Sequence, residues 1–223
     1  MALKRTLMVW RSLLLTHNAT NYICRQHLVT LCVICGNSMD NYLQKPKIHH
    51  VETVAKSRLF TVESVDLEFS NGTRRVYERM QSSHREAVMI VPVMDDHLLL
   101  IREYGVGIED YELGFPKGLM DVGEEVMDAA NRELMEETGF GARAFLFLNR
   151  LTMAPSYFSN KINIVVAQGL YPQRLKGDEP EPLSLVLWPV DRMLKLLNEP
   201  DFCEARNVSA LFFAHAWWNI NRK

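Results

Sequence analysis

Hydrophobic and polar positions change period several times along this chain, and each change marks an element. From Val51 onward, Phe60-Thr-Val-Glu-Ser-Val-Asp-Leu-Glu-Phe69 alternates apolar with polar, the two-residue period of a strand with one buried face. Asn71-Gly72 tolerates the left-handed backbone of a tight turn, and Arg74 to Arg79 then resumes an extended pattern, so residues 51–80 are expected to hold a β-hairpin. Ala87 to Pro92 and His97 to Ile101 are apolar runs on either side of Asp95-Asp96, which predicts a second hairpin with buried strands. Tyr111 to Phe115 reads as a short strand, Glu124 to Glu137 as a helix, and Asn163 to Gln168 as a buried strand of valine and isoleucine. An acidic, proline-spaced loop follows at Lys176-Gly-Asp-Glu-Pro-Glu-Pro182, and helical patterns return at Val190 to Leu197 and Arg206 to Trp217. Strands around one central helix, closed by helices, predict an α/β (α+β) fold in which helices sandwich a mixed sheet.

Composition narrows the function classes. The 223 residues are 48% hydrophobic and 23% charged, which suits one folded domain with a real core and excludes a disordered or collagen-like chain. Lys and Arg total 25 against 27 Asp and Glu, so the charge of −2 offers no basic footprint for nucleic acid or anionic lipid. Of the four cysteines, Cys24, Cys32 and Cys35 sit near the N-terminus and Cys203 stands far from them, which argues against a disulfide-framed secreted domain. Cys32-Val-Ile-Cys35 has zinc or redox spacing but no second pair to complete a site.

Residues 1–38 differ from the rest. Arg11 interrupts the first apolar stretch, and Leu28 to Gly36 is shorter than the roughly 20 residues that cross a bilayer, so neither a signal peptide nor a membrane helix is expected. This segment is read as an extension without function, with an unusual targeting peptide as the alternative, and residues 39–223 as the working domain, cytoplasmic and not membrane-bound.

The chemistry concentrates in residues 118–140. Wound as a helix, Val126, Ala130, Glu133 and Glu137 share a stripe that starts apolar and ends acidic, with Glu136 beside it. Glu133 and Glu137 repel at i, i+4 by about 0.2–0.5 kcal/mol when exposed, and by more when partly buried. A hard dication reverses that sign, and oxygen-only donors select Mg2+, Mn2+ or Ca2+ over zinc. Gly118 and Gly123 bracket a turn ahead of the helix, Gly139 is placed to end it, and Arg132, eight residues after Glu124, can tie helix to loop.

Gly118, Glu124, Arg132, Glu133, Leu134, Glu136, Glu137, Gly139 and Phe140 fill every defined position of Gly-x5-Glu-x7-Arg-Glu-U-x-Glu-Glu-x-Gly-U, where U is a bulky apolar residue, and the stretch resembles the Nudix box. The resemblance implies an αβα sandwich and hydrolysis of a nucleoside diphosphate linked to another group. It implies Glu133, Glu136 and Glu137 as ligands of Mg2+, with Mn2+ possible in its place, Glu136 also serving the catalytic centre. It gives Glu124 and Arg132, with Gly118 and Gly139, a scaffolding role. A catalytically silent binding module of this family would typically lack one of the carboxylates, and none is missing.

Two further roles lie outside the box. A general base often comes from a later loop in this family, and the segment Lys176 to Pro182 supplies Asp178, Glu179 and Glu181, with Glu181 ranked ahead of Glu179. Gly114-Phe-Pro-Lys-Gly118 resembles the entry to the box in dinucleoside polyphosphate hydrolases, whereas ADP-ribose pyrophosphatases tend to carry Glu at the position of Gly114. Glu112, two residues earlier, is a candidate to take over that role, and Arg102 and Lys117 are candidate phosphate contacts. Over residues 40–215 the chain is similar to the branch of the family that acts on ADP-linked compounds. That similarity implies Mg2+-dependent conversion of ADP-ribose, diadenosine triphosphate and NADH to AMP and the complementary phosphate. It also implies a homodimer. The alternative is a Nudix hydrolase of nucleotide sugars or of other dinucleoside polyphosphates.

Overall fold

The computed structural model describes residues 44–82 and 85–221, so the extension at 1–38, with Cys24, Cys32 and Cys35, lies outside the described residues. The described chain divides into two compact units, one of residues 44–52 and 64–77, the other of residues 53–63 and 78–221. Strands β1 (Lys47–Lys56), β2 (Thr61–Glu68) and β3 (Arg74–Met80) form a three-stranded sheet in that order. The turn between β2 and β3 follows its chemistry: Gly72 takes φ 79°, Asn71 Oδ1 accepts from Thr73 N–H, and Phe69 and Thr73 pair across the turn. The expected hairpin is therefore two strands of three. Strand β1 escaped the pattern because it is exposed along its whole length and has no buried face to impose a period.

The second unit is built on a seven-stranded mixed sheet with the path β10-β5-β4-β9-β8, in which β6 also pairs with β5 and β7 with β4. Its strands are β4 (Ala87–Met94), β5 (His97–Gly105), β6 (Asp110–Gly114), β7 (Lys117–Leu119), β8 (Phe140–Thr152), β9 (Lys161–Pro172) and β10 (Ser184–Pro189). Strands β4 and β9 run parallel, from Ala87 opposite Ile162 to Val93 opposite Gln168, and both are apolar on both faces because each face is covered. Pro92 is tolerated in this central strand because, on its other edge, β4 pairs with β7 through Ala87 to Met89 and with β5 only from Val93, so its missing N–H falls between two ladders.

Helix α1 (Val126–Thr138) covers one face of the sheet, packing Ala129, Ala130 and Leu134 on Val88, Ile90, Val165 and Ala167. A 3₁₀ segment (Val190–Asn198) and helix α2 (Ala205–Asn221) cover the other, where Leu98, Leu100, Met89, Val91 and Ile164 meet Met193, Leu196, Ala210 and Leu211. This is the expected αβα sandwich. Three strands not read from the sequence complete it, the short β7 paired with β4, β8 on one edge and β10 on the other. Among the described residues no helix is long and apolar enough to cross a membrane.

Candidate active site

The box helix is set in place by its two ends. Gly139 adopts φ 79° and its N–H closes on the Met135 carbonyl at 3.1 Å, a left-handed cap that a residue with a Cβ adopts only at a cost. At the other end no side chain caps the helix, and Arg132, midway along it, ties it to the preceding loop. Its guanidinium donates from Nε and Nη2 to the two oxygens of Glu124 at 2.9 and 2.8 Å, and from Nη2 to the Leu119 carbonyl at 3.0 Å. Glu124 also accepts from Asp121 N–H at 2.8 Å, so one bidentate pair fastens the whole loop to the helix. Hydrogen bonds from Arg132 hold the Glu124 carboxyl below the usual carboxylate range. Arg132→Ala is expected to destabilise the protein by about 3 kcal/mol, since it strands a hydrogen-bonded carboxylate, with Arg132→Lys recovering only part because an ammonium lacks the fork. Urea denaturation read by circular dichroism measures both.

The same guanidinium reaches the metal-ligand candidates. Arg132 Nη1 donates to Glu133 at 2.7 Å and to Glu136 at 3.0 Å. Gly118 lies so close to Glu133 that a Cβ there would run into its carboxylate, which explains a glycine at this box position. Glu137 has no such counter-ion. It is buried, accepts from Lys117 N–H at 3.0 Å, and its carboxyl is pushed up to about 9 by burial, with Lys117 opposing and Glu103 and Glu133 adding to the rise. Burial likewise raises Glu133, against the pull of Arg132, and Glu136 and Glu179 push it further.

Negative charge here exceeds what the protein itself balances, and the donors are all oxygen, the chemistry that suits a hard dication. Among the described residues no three such groups already converge into a preformed cluster, because Glu133 and Glu136 are turned onto Arg132.

Of the residues expected to touch substrate, Lys117 joins this group: its Nζ sits 2.6 Å from Glu103 Oε2, and its N–H holds Glu137. Glu112 stands opposite Glu103 in the β5–β6 ladder. Arg102 is not brought to the carboxylates. It continues the alternation of Leu98 and Leu100 toward the α2 face and is ion-paired with Asp201. The acidic loop divides its two candidates: Glu181 accepts from the Tyr111 hydroxyl, which lifts that phenol above its usual range, while the charge of Glu179 adds to the rise of the Glu133 carboxyl.

Three contributors escaped sequence reasoning. Glu103 is the counter-charge of Lys117, Tyr111 holds Glu181, and Asn207 of α2 accepts from Phe115 N–H at 2.8 Å. A Cβ at Gly114 would fall 2.5 Å from Asn207 Nδ2, so the glycine where ADP-ribose pyrophosphatases tend to carry Glu has a packing reason.

Comparison with known proteins places the chain in a family. Residues 83–208 match the NUDIX domain, and residues 46–79 match the NudE-type Nudix hydrolase N-terminal domain. The chain belongs to the Nudix hydrolase family, and the resemblance carried by the box holds. It is 70% identical over 179 residues to the ADP compounds hydrolase NudE of Escherichia coli strain K12, covering 80% of this chain and 96% of that one. A solved structure of an ADP compounds hydrolase superposes with a TM-score of 0.79 at 69% identity, over 81% of this chain and 98% of that one. The ADP-ribose pyrophosphatase of Bacillus subtilis strain 168 is more distant, at 24% identity over 168 residues, 72% of this chain and 90% of the other.

Proposed function

We propose that this chain is a Mg2+-dependent pyrophosphohydrolase of ADP-linked compounds, with ADP-ribose, diadenosine triphosphate and NADH as its substrate class and AMP as a product. The observation that carries the reading is the identity of 70% across nearly the whole length of an ADP compounds hydrolase, in a chain whose box positions are all occupied. The homodimer belongs to the same reading, and sedimentation of the purified chain tests it.

Glu133, Glu136 and Glu137 would hold the cation, whose positive charge neutralises the pyrophosphate and acidifies the attacking water. Arg132 serves as resting counter-charge for two of these carboxylates and keeps them from repelling one another off the helix. Lys117 offers its ammonium to a phosphate oxygen in exchange for Glu103, a carboxylate that holds it in position until then. Glu179 takes the proton from water as the new phosphorus–oxygen bond forms and the anhydride bond breaks, the bridging oxygen departing with the phosphate that is not attacked. Glu179 is preferred to Glu181 because it acts on Glu133, whereas Glu181 is spent on Tyr111.

A panel of ADP-ribose, NADH, NAD, diadenosine polyphosphates and UDP-sugars, assayed with Mg2+ and resolved by chromatography, is expected to yield AMP from the ADP-linked members. Faster turnover of UDP-sugars, or pyrophosphate released from nucleoside triphosphates, would overturn the substrate class.

A further inference from the structure

Deepening the reading above and resting on it, we propose that Tyr111 is a positioning residue whose hydroxyl latches the acidic loop through Glu181 and so fixes the stretch of that loop which carries Glu179. The loop joins the end of β9 to the start of β10 and is tied at both ends. On one side Gln173 N–H donates to the Gly139 carbonyl at 3.0 Å and Leu175 N–H to the Met135 carbonyl at 3.2 Å, fixing the chain to the last turn of α1. On the other side the β10 ladder begins with Ser184 opposite Arg102. Between these anchors, the Tyr111 hydroxyl donates to Glu181.

Tyr111 is itself fixed. It stands opposite Tyr104 in the β5–β6 ladder, and the two rings meet edge to face with centroids 5.5 Å apart. Pro180 and Pro182 flank Glu181, which removes soft backbone torsions on both sides, so restraint applied at Glu181 passes to Glu179 two residues away. The Glu179 carboxylate lies over Gly177, where a Cβ would collide with it. Neither Tyr111 nor Glu181 needs to touch the substrate for this effect.

The test separates a latch from a base. Tyr111→Phe and Glu181→Ala are each expected to lower kcat about tenfold at unchanged KM and Tm, the scale of a modest misplacement of a catalytic group. Glu181→Gln, whose amide oxygen still accepts from the tyrosine, is expected to stay within about twofold of the parent. Amide hydrogen exchange across Lys176 to Glu179, measured without substrate, should quicken in Tyr111→Phe and Glu181→Ala and not in Glu181→Gln. A Glu181→Gln variant as impaired as Glu181→Ala would overturn the latch, as would a Tyr111→Phe variant with parental kcat and exchange. Hydrogen exchange needs no turnover, so a parent protein inactive on every ADP-linked compound would sink the substrate reading while the exchange data still decide on the latch.

Discussion

Glu137→Gln is expected to cut turnover by about 10²-fold or more in saturating Mg2+ and, in EDTA at pH 8, to raise the melting temperature above that of the parent. The kinetic half follows from removing one anionic donor from the set that would hold the cation. The stability half follows from the burial of Glu137, which outweighs the pull of Lys117 and pushes the carboxyl up to about 9 against an ordinary value of 4.5. A carboxyl raised on folding stabilises the protein fully below its unfolded value and loses that contribution as pH climbs through the folded one. Metal-free parent protein should therefore lose stability from about pH 4.5 to about pH 9, by at most about 1.4 kcal/mol for each pH unit. Glutamine does not titrate, so the two melting curves should coincide near pH 5 and separate as pH rises. Adding Mg2+ should lift the parent and leave the variant behind. Parallel curves with unchanged turnover would return the helix to a solvated acidic face.

Local periodicity made α1 and its chemistry legible. The acidic stripe is written at i, i+4 and follows from helix geometry, while the Glu124–Arg132 pair, eight residues apart from loop to helix, is close enough in the chain to be read from the motif spacing. Buried strands such as β4 and β9 announce themselves because both faces must be apolar. Strand β8 does not, since Leu146 and Phe147 at the sheet edge remain exposed and neither alternation nor a continuous run emerges. Strand β10, six residues directly after a proline-rich loop, was hidden by its neighbours. The contacts that complete the site cross the fold: Glu103 with Lys117, Asn207 with Phe115, Tyr111 with Glu181. None shares a helical or strand period, and each depends on which elements the sheet brings side by side. For the same reason the loop at 176–182 could nominate its carboxylates, but the order that put Glu181 ahead of Glu179 had only the flanking prolines behind it, whereas the order depends on the path the folded loop takes.

Glu179→Gln is expected to lower kcat by about 10²- to 10⁴-fold while KM changes little, because loss of a general base raises the transition state far more than it weakens ground-state binding. The substitution preserves size and removes the negative charge, and with it the ability to accept a proton. Its melting temperature should match the parent's, since Glu179 sits on a loop outside both hydrophobic clusters. Glu181→Gln provides the contrast, because it keeps the tyrosine contact and should retain its turnover. A reversed order, with Glu181→Gln the severe variant, would make Glu181 the base and Glu179 its neighbour. If neither substitution lowers kcat tenfold, the proton is taken without help from this loop, and Glu136, beside Glu133 on α1, becomes the carboxylate to test next.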